Sequence, residues 1–263
     1  KFYGLSTLRT GLEKSRNLMT VRIAQNLGLE KIVNFSKELG IYDNPEKLLS
    51  ISLGSAETTL LKLTSAYSSF VNGGKLIEPI IIDRVQDSEG KTVVNNDKRS
   101  CLNCDQISYT SKEYPELKDE YKQIFSAQTA YQVTSILEGV IKRGTGKKLK
   151  NLNLNLAGKT GTTNDNTDTW FIGFTSNLLV GVYVGMDNPE TLGKYETGSK
   201  VALPIFKDFI KNGVKKSDAR PFKVSNDITM MVIDTLTGQK AKFSSKDTII
   251  EAYKNKNVIN GNV

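Results

Sequence analysis

LAGKTGTTNDNTDTWFIGFTSNLLVGVYVG, residues 156–185, is the stretch of the sequence that decides the fold. A lead-in at residues 152–156, in which leucine alternates with asparagine, runs into this stretch. Near its start the stretch contains K-T-G-T at 159–162. A loop rich in Asn, Asp and Thr follows, and two short apolar runs, 170–175 and 178–186, come after it. Because alternation and short apolar runs are typical of strands, the pattern predicts a strand, a polar loop and a β-hairpin.

The end of the first predicted strand carries groups that can do chemistry. Lys159 supplies an ammonium, Thr160 and Thr162 supply hydroxyls, and Gly161 lets a ligand approach the backbone closely. Such a strand end also offers backbone N–H donors. Together these groups suit a ligand that has both a carboxylate and a carbonyl.

Two motif families contain these letters. The phosphate loop G-x-x-x-x-G-K-[ST] would need glycine where the chain has Asn153, and a helix where the pattern predicts a loop and a hairpin. The K-T-G element of the serine penicillin-recognising enzymes lies on a strand, as predicted here. A surface hairpin with an incidental lysine remains open on this segment alone.

Composition narrows the function classes. The chain has 263 residues, 38% hydrophobic and 24% charged, which suits a soluble globular chain. Its longest apolar run, 178–186, is far shorter than the roughly 20 residues of a membrane span, and no signal peptide is visible. The net charge of +8 comes without a nucleic-acid motif or a basic stripe with interleaved aromatics. We therefore expect a solvated basic surface and no nucleic-acid partner.

The sequence contains no histidine. This excludes Ser-His-Asp and Cys-His catalysis and metal sites with histidine ligands, and no metal or other cofactor is predicted. Cys101 and Cys104 are too few for a zinc site and lie in a polar loop rather than at a helix N-terminus, where a redox pair belongs. A local disulfide, formed in an oxidising compartment, is the favoured interpretation.

From the N-terminus onward, the sequence predicts helices first and the strands of the main sheet in its second half. Ser6 is predicted to cap the first helix, and the next two helices end at Gly28 and Gly40. The Ser15-Arg16-Asn17 segment lies in a break between helices, where Ser and Asn commonly cap, and capping is the alternative to a role in a site. A further helix begins at Thr58 or Thr59.

The rest of the chain divides into a main part and an end. Residues 1–220 are predicted to form one domain, in which 95–123 is a polar insertion that holds both cysteines. Residues 221–263 are predicted to form a small C-terminal appendage. The last 20 or so residues are rich in Lys and Asn, so we expect them to be poorly ordered.

Four stretches carry a family resemblance: EKSRNLMTVRIAQNLGLEKI at 13–32, AYSSFVNGG at 66–74, QTAYQVTSILEGVIKRGTG at 128–146 and LAGKTGTTNDNTDTWFIGFT at 156–175. Over roughly residues 5–240 the chain resembles the C-terminal part of the transpeptidase domain of class A, high-molecular-weight penicillin-binding proteins. The resemblance implies an α+β fold of the β-lactamase and DD-transpeptidase type, layered α/β/α around a mostly antiparallel sheet and incomplete at its N-terminal side. A serine β-lactamase or carboxypeptidase relative and a non-catalytic binding module are the alternatives.

The family has three active-site elements, S-x-x-K, S-x-N and K-T-G. The second matches Ser15-Arg16-Asn17 and the third begins at Lys159. The only S-x-x-K in these residues is Ser88 to Lys91, in a predicted hairpin turn and on the wrong side of S-x-N. We therefore expect the nucleophilic serine and its lysine upstream of Lys1, with a glycosyltransferase domain and a membrane anchor further upstream.

The resemblance also implies roles. Ser15 would relay a proton, Asn17 would hold the substrate amide and Lys159 would add positive charge. The substrate-binding groups would be Thr160, Gly161, Thr162 and Thr163. The implied partners are peptidoglycan stem peptides, as D-Ala-D-Ala donor and amine acceptor, and β-lactams, with the enzyme outside the cytoplasmic membrane of a bacterium.

Overall fold

The computed structural model describes residues 4–104 and 114–255. Its α-helices are α1 (Leu8–Glu13), α2 (Asn17–Leu27), α3 (Leu29–Glu38), α4 (Leu60–Val71), α5 (Ala127–Lys142) and α6 (Ala202–Gly213). Its strands are β1 (Arg84–Gln86), β2 (Thr92–Asn95), β3 (Ser100–Leu102), β4 (Glu116–Lys118), β5 (Ala157–Thr162), β6 (Thr169–Phe174), β7 (Leu179–Val184), β8 (Ile228–Asp234) and β9 (Thr248–Lys254). Short 3₁₀ helices span Leu49–Leu53, Lys147–Leu152 and Asn164–Asn166.

The central sheet is antiparallel in the order β5-β6-β7, which leaves β5 at an edge. Lys159 pairs with Ile172 and Gly161 with Trp170, so the K-T-G letters lie on this edge strand. The predicted strand, polar loop and hairpin are confirmed. Because strand side chains alternate between faces, Phe171 and Phe174 enter different clusters on opposite sides of the sheet.

Helices cover both faces of this sheet. On one face Phe171 packs against Phe206 of α6, with ring centroids 4.7 Å apart, together with Leu203 and Ile210. On the other face Phe174 packs against α5 through a cluster that contains Leu137, Val140 and Ala157. The α/β/α layering and the α+β class that the resemblance implies are confirmed.

Glycine lets α6 approach the sheet. A Cβ on Gly173 would lie 2.6 Å from a ring carbon of Phe206, closer than Cβ atoms come in real proteins. A Cβ on Gly158 would lie 2.7 Å from the carbonyl oxygen of Ile172. These two glycines, which face each other across the β5–β6 ladder, therefore serve packing rather than flexibility.

Two local predictions are wrong. The alternating leucine lead-in is not a strand: Leu152 ends the 3₁₀ helix Lys147–Leu152, Asn153 follows in the left-handed conformation with φ of 52°, and β5 begins only at Ala157. Leu152 still packs against the core, so burial of the leucines accounts for the alternation. The cap of α1 is Thr7, whose side chain accepts from the N–H of Thr10, and Ser6 instead accepts a hydrogen bond from Arg16. Thr59 caps α4, as expected.

Two hairpins lie apart from the central sheet. β1 and β2 pair across a turn that contains Ser88, as predicted, and both strands are exposed. β3 pairs with β4, and at this hairpin Cys101 lies beside Cys104 with Cα atoms 5.8 Å apart, a separation that suits a disulfide. The middle of the predicted insertion, residues 105–113, lies outside the described residues, and the insertion boundaries stay a prediction.

The C-terminal end is better organised than its composition predicts. β8 and β9 pair along seven residues each, from Ile228 opposite Lys254 to Asp234 opposite Thr248. The expectation that the last 20 or so residues are poorly ordered is therefore wrong up to Asn255; residues 256–263 lie outside the described part. Ala252 of β9 is buried, because the hairpin lies against α5.

Replacing Phe206 with alanine tests the α6 packing. The ring is fully buried between α6 and the sheet, so its loss leaves a cavity and should lower the free energy of unfolding by about 3–5 kcal/mol. Phe209→Ala, on the same helix but 52% exposed, is the matched control and should change it by less than about 0.5 kcal/mol. Equal losses in urea denaturation would contradict this packing.

Candidate active site

The turn between α1 and α2 presents Ser15 beside the sheet. Ser15 is exposed and has a φ of 51°, a left-handed conformation that non-glycine residues adopt rarely. Backbone bonds close the turn: the N–H of Ser15 donates to the carbonyl of Leu12 and that of Arg16 donates to the carbonyl of Gly11. Unusual backbone of this kind is concentrated at functional sites, where the surroundings hold it in place.

Lys159 reaches this turn from β5. Its Nζ donates a hydrogen bond to Ser15 Oγ and another, of 2.9 Å, to the carbonyl of Thr160. The side chain is half-buried, and burial lowers the pKa of Lys159 from 10.5 to about 8, because an ammonium loses hydration there. The S-x-N and K-T-G elements, 144 residues apart, therefore meet through one amine and one hydroxyl.

The two threonine hydroxyls of β5 are each held by a group from another loop. Thr160 Oγ1 lies 2.9 Å from Thr145 Oγ1, and the N–H of Gly198 donates to Thr162 Oγ1 at 3.0 Å. Only glycine fits at 198, because a Cβ there would lie 2.3 Å from the carbonyl oxygen of Gly161. A hydroxyl that accepts a bond keeps its own proton to donate, so Thr162 can still donate to a ligand.

Two predicted site residues have a different local setting. Thr163 Oγ1 accepts the N–H of Asp168 at 2.8 Å and lies 2.8 Å from Thr167 Oγ1, so this hydroxyl holds the loop after β5. Asn17 is the first residue of α2 and is exposed, and its side chain has no hydrogen-bond partner within the described ranges. The amide of Asn17 is therefore available to a ligand.

The surroundings of Ser88 and Lys91 do not suit catalysis. Ser88 lies in the exposed β1–β2 turn, and the N–H of Lys91 is used to close that turn on the side chain of Asp87. The site residues that the sequence did not single out are Thr145 and Gly198. Gly144-Thr145-Gly146 lies in one of the quoted family stretches, and Gly198 lies in the glycine-containing loop before α6, so the signal for Thr145 was present but no role could be derived from it.

Residues 4–104 and 114–255 contain no cluster of three or more His, Cys, Asp or Glu side chains that could hold a metal ion. In the same residues no helix combines the length and the apolar composition needed to cross a membrane.

Comparison with known proteins now bears on these elements. Residues 2–211 match the family described as penicillin binding protein transpeptidase domain. The chain belongs to the penicillin-binding protein transpeptidase family. The match includes both the Ser15 turn and the Lys159 strand.

Relatives and solved structures agree with this family. Penicillin-binding protein 1A of Rickettsia conorii is 47% identical over 260 residues, covering 98% of this chain and 32% of that protein. The crystal structure of penicillin-binding protein 1A from Haemophilus influenzae matches with a TM-score of 0.81 and 28% identity, over 97% of this chain and 40% of that one. PonA1 of Mycobacterium tuberculosis in complex with penicillin V shares the fold, with a TM-score of 0.66 and 20% identity over 85% of this chain and 60% of that one.

The chain spans about a third of the length of the curated relatives it matches. The resemblance to class A penicillin-binding proteins is confirmed, and the matching part is a transpeptidase-domain segment.

The Lys159 amine of this transpeptidase-domain chain should titrate near pH 8. It is protonated below that value; between pH 8 and 10.5 the unfolded chain binds more protons, so this residue makes the fold more stable as pH rises. NMR titration of ¹³C-labelled lysines, with Lys159→Met to assign the signal, measures the pKa. A value near 10.5 would contradict the burial of this amine.

Proposed function

We propose that this chain forms part of a serine-type D-Ala-D-Ala transpeptidase that cross-links peptidoglycan and is a target of penicillins. The observation that carries the proposal is the contact between Lys159 and Ser15, which joins two of the family's three active-site elements. It is supported by the family match and by the similarity to penicillin-binding protein 1A.

The proposed reaction is acyl transfer without histidine. A serine hydroxyl attacks the carbonyl carbon of the D-Ala-D-Ala peptide bond while a neighbouring lysine takes its proton. The bond to the leaving D-Ala breaks as that amine gains a proton, and an ester remains on the serine. An amine from a second stem peptide then attacks the ester, which forms the cross-link and frees the serine. We infer that this serine and lysine belong to an S-x-x-K element outside the 263 residues.

The described residues would bind and orient the substrate. The ammonium of Lys159 and the hydroxyls of Thr160 and Thr162 would hold the terminal carboxylate through charge-assisted hydrogen bonds. Asn17 would hold the substrate amide. The backbone N–H of Thr162 would donate to the oxyanion, and one such donor is typically worth about 2.7–4 kcal/mol.

Proton delivery would fall to Ser15. Because Lys159 donates to Ser15 Oγ, the hydroxyl proton of Ser15 is free to point into the cleft. Ser15 could give that proton to the leaving amine and regain one from Lys159. A lysine with a pKa of about 8 suits this exchange near neutral pH, since proton transfer is most efficient when the pKa lies near the working pH.

Exposed apolar side chains support the inference that another segment completes the site. α2, α3 and the 3₁₀ helix Leu49–Leu53 carry large apolar side chains that are 40–55% exposed: Leu18, Leu27, Phe35, Leu49 and Leu53. Large apolar side chains this exposed mark the region of these elements as a surface that a partner covers. We propose that the rest of the transpeptidase domain, which carries S-x-x-K, covers it.

The remaining assignments follow from the same proposal. The intact protein would be anchored in the cytoplasmic membrane, with this domain on its outer side, where stem peptides and β-lactams are found. The structure of PonA1 was solved with penicillin V, so a domain of this fold accommodates a β-lactam. An oxidising location also suits the pairing of Cys101 with Cys104, a bond that stays a prediction.

Substitutions in β5 test the proposed function in the intact protein. Lys159→Ala and Thr162→Val should each slow acylation by penicillin at least about tenfold, because each removes a group that holds the carboxylate. Stopped-flow measurement with a fluorescent penicillin gives the second-order rate. Lys98→Ala and Thr92→Val, both at exposed positions, are the matched controls. Unchanged rates in both site variants would remove these roles.

The chain of 263 residues by itself tests where the nucleophile lies. Incubated with excess labelled penicillin, it should gain no mass, because Ser15 lacks an activating lysine in the S-x-x-K arrangement and Ser88 lies in an exposed turn. The intact protein, treated in parallel, should gain one penicillin. Intact-mass spectrometry decides, and an adduct mapped to Ser15 or Ser88 would show that the assignment of the nucleophile is wrong.

A further inference from the structure

Behind the Ser15 turn lies a cluster of buried charges. Arg9 and Glu13 of α1 are only 5% and 4% exposed, and Arg9 Nη1 lies 3.3 Å from Glu13 Oε1. The guanidinium of Arg9 also makes a two-bond contact with both carboxylate oxygens of Glu251, which lies on β9. Its remaining donors reach the carbonyl and hydroxyl oxygens of Ser135, each at 3.0 Å. Arg9 thus joins α1, α5 and the C-terminal hairpin.

The same cluster continues to the site. Glu13 accepts two hydrogen bonds from Arg143 at the end of α5, of 3.1 and 2.5 Å. The backbone carbonyl of Glu13 accepts the N–H of Thr145, whose hydroxyl contacts Thr160 on β5. Two residues after Glu13 comes Ser15. A continuous set of contacts therefore runs from Glu251 to the hydroxyls of both active-site elements.

The Ser15 turn needs such support. Its left-handed backbone is unfavourable for serine, so the conformation persists only where neighbouring contacts determine it. α1 is only six residues long, too short to be stable without packing. Its position relative to α5 is fixed by the bonds of Arg9 and Glu13, and by Lys14, whose Nζ donates to the carbonyl of Arg143.

The C-terminal hairpin is firmly placed to provide this support. Gln132 of α5 donates to the carbonyl of Ala252 at 2.8 Å, and Lys254 Nζ lies 2.7 Å from Thr129 Oγ1. Glu251 itself is partly buried, with 14% of its side chain exposed. Its carboxylate therefore lies between the hairpin and α5, where it contacts Arg9.

We propose that Glu251 is a positioning residue for the transpeptidase site and that the β8–β9 hairpin acts as a clamp on the Ser15 turn. Through Arg9, Glu251 holds α1 at the angle that brings Ser15 Oγ to Lys159. The proposal rests on the proposed function, in which Ser15 relays a proton. It assigns a role in catalysis to a segment that the sequence predicts only as part of a small C-terminal appendage.

A double-mutant cycle separates this role from a general loss of stability. In the intact protein, Glu251→Gln removes the charge but keeps the shape, and should slow penicillin acylation about tenfold by displacing Ser15. In a Ser15→Ala background the same substitution should slow it less than about twofold, because contacts that act through one residue are not additive. Acylation is measured by stopped flow and folding by thermal unfolding.

Two further variants make the experiment decisive. Glu138→Gln removes a carboxylate from an ion pair with Lys142 on α5 that has no link to α1, and should leave the rate within about twofold of the original. Glu251→Asp keeps the charge on a shorter side chain and should recover part of the rate; if Glu251→Gln does not fold, the cycle is run with Glu251→Asp.

The outcomes are distinct. Equal slowing by Glu251→Gln in both backgrounds, or no slowing in either, would overturn the positioning role while leaving the proposed function intact, provided that Ser15→Ala and Lys159→Ala still slow acylation. If neither of those two variants slows it, the proposed site itself is wrong and the positioning role is overturned with it. Slowing that depends on Ser15 supports the proposal.

Discussion

The buried guanidinium of Arg9 is the constraint on which the arrangement of this chain depends. A charge taken out of water is costly unless it is paired and fully hydrogen-bonded, and Arg9 meets this condition only when Glu13, Ser135 and Glu251 converge on it. These three partners come from α1, α5 and β9. Satisfying one charge therefore fixes the relative positions of three segments that are far apart in the sequence.

In the active site, too, side chains are held by contacts with other segments of the chain. Three side chains of the site are each bonded to a neighbouring segment: Lys159 to Ser15, Thr160 to Thr145, and Thr162 to the N–H of Gly198. A ligand that arrives finds these groups already oriented, so little rearrangement is needed at the moment of reaction. Apolar packing holds the sheet in place through Phe171 and Phe174, which lie on the strand next to β5.

Sequence reasoning succeeds where the signal is local or carried by a motif. The two short apolar runs at 170–175 and 178–186 predict β6 and β7, and the resemblance places Ser15 and Lys159 in one site. Sequence reasoning fails where contacts with residues far away in the sequence determine the local structure. Leu152 and Leu154 alternate because they face a core, not because they form a strand, and β9 is ordered by contacts with α1 and α5 that its Lys-rich surroundings do not indicate. Neither Arg9 nor Glu251 has a sequence signature, since each is explained only by the other.

The backbone conformation and the proposed chemistry favour different residue types at position 15. The turn favours a residue without a Cβ, or an asparagine, because φ is 51° there, whereas the proposed proton relay needs a hydroxyl. A glycine at this position would relax the turn and remove the hydroxyl at once. Selection for stability alone would therefore move this position away from serine, so a screen of stabilised variants would be expected to accumulate inactive proteins altered here.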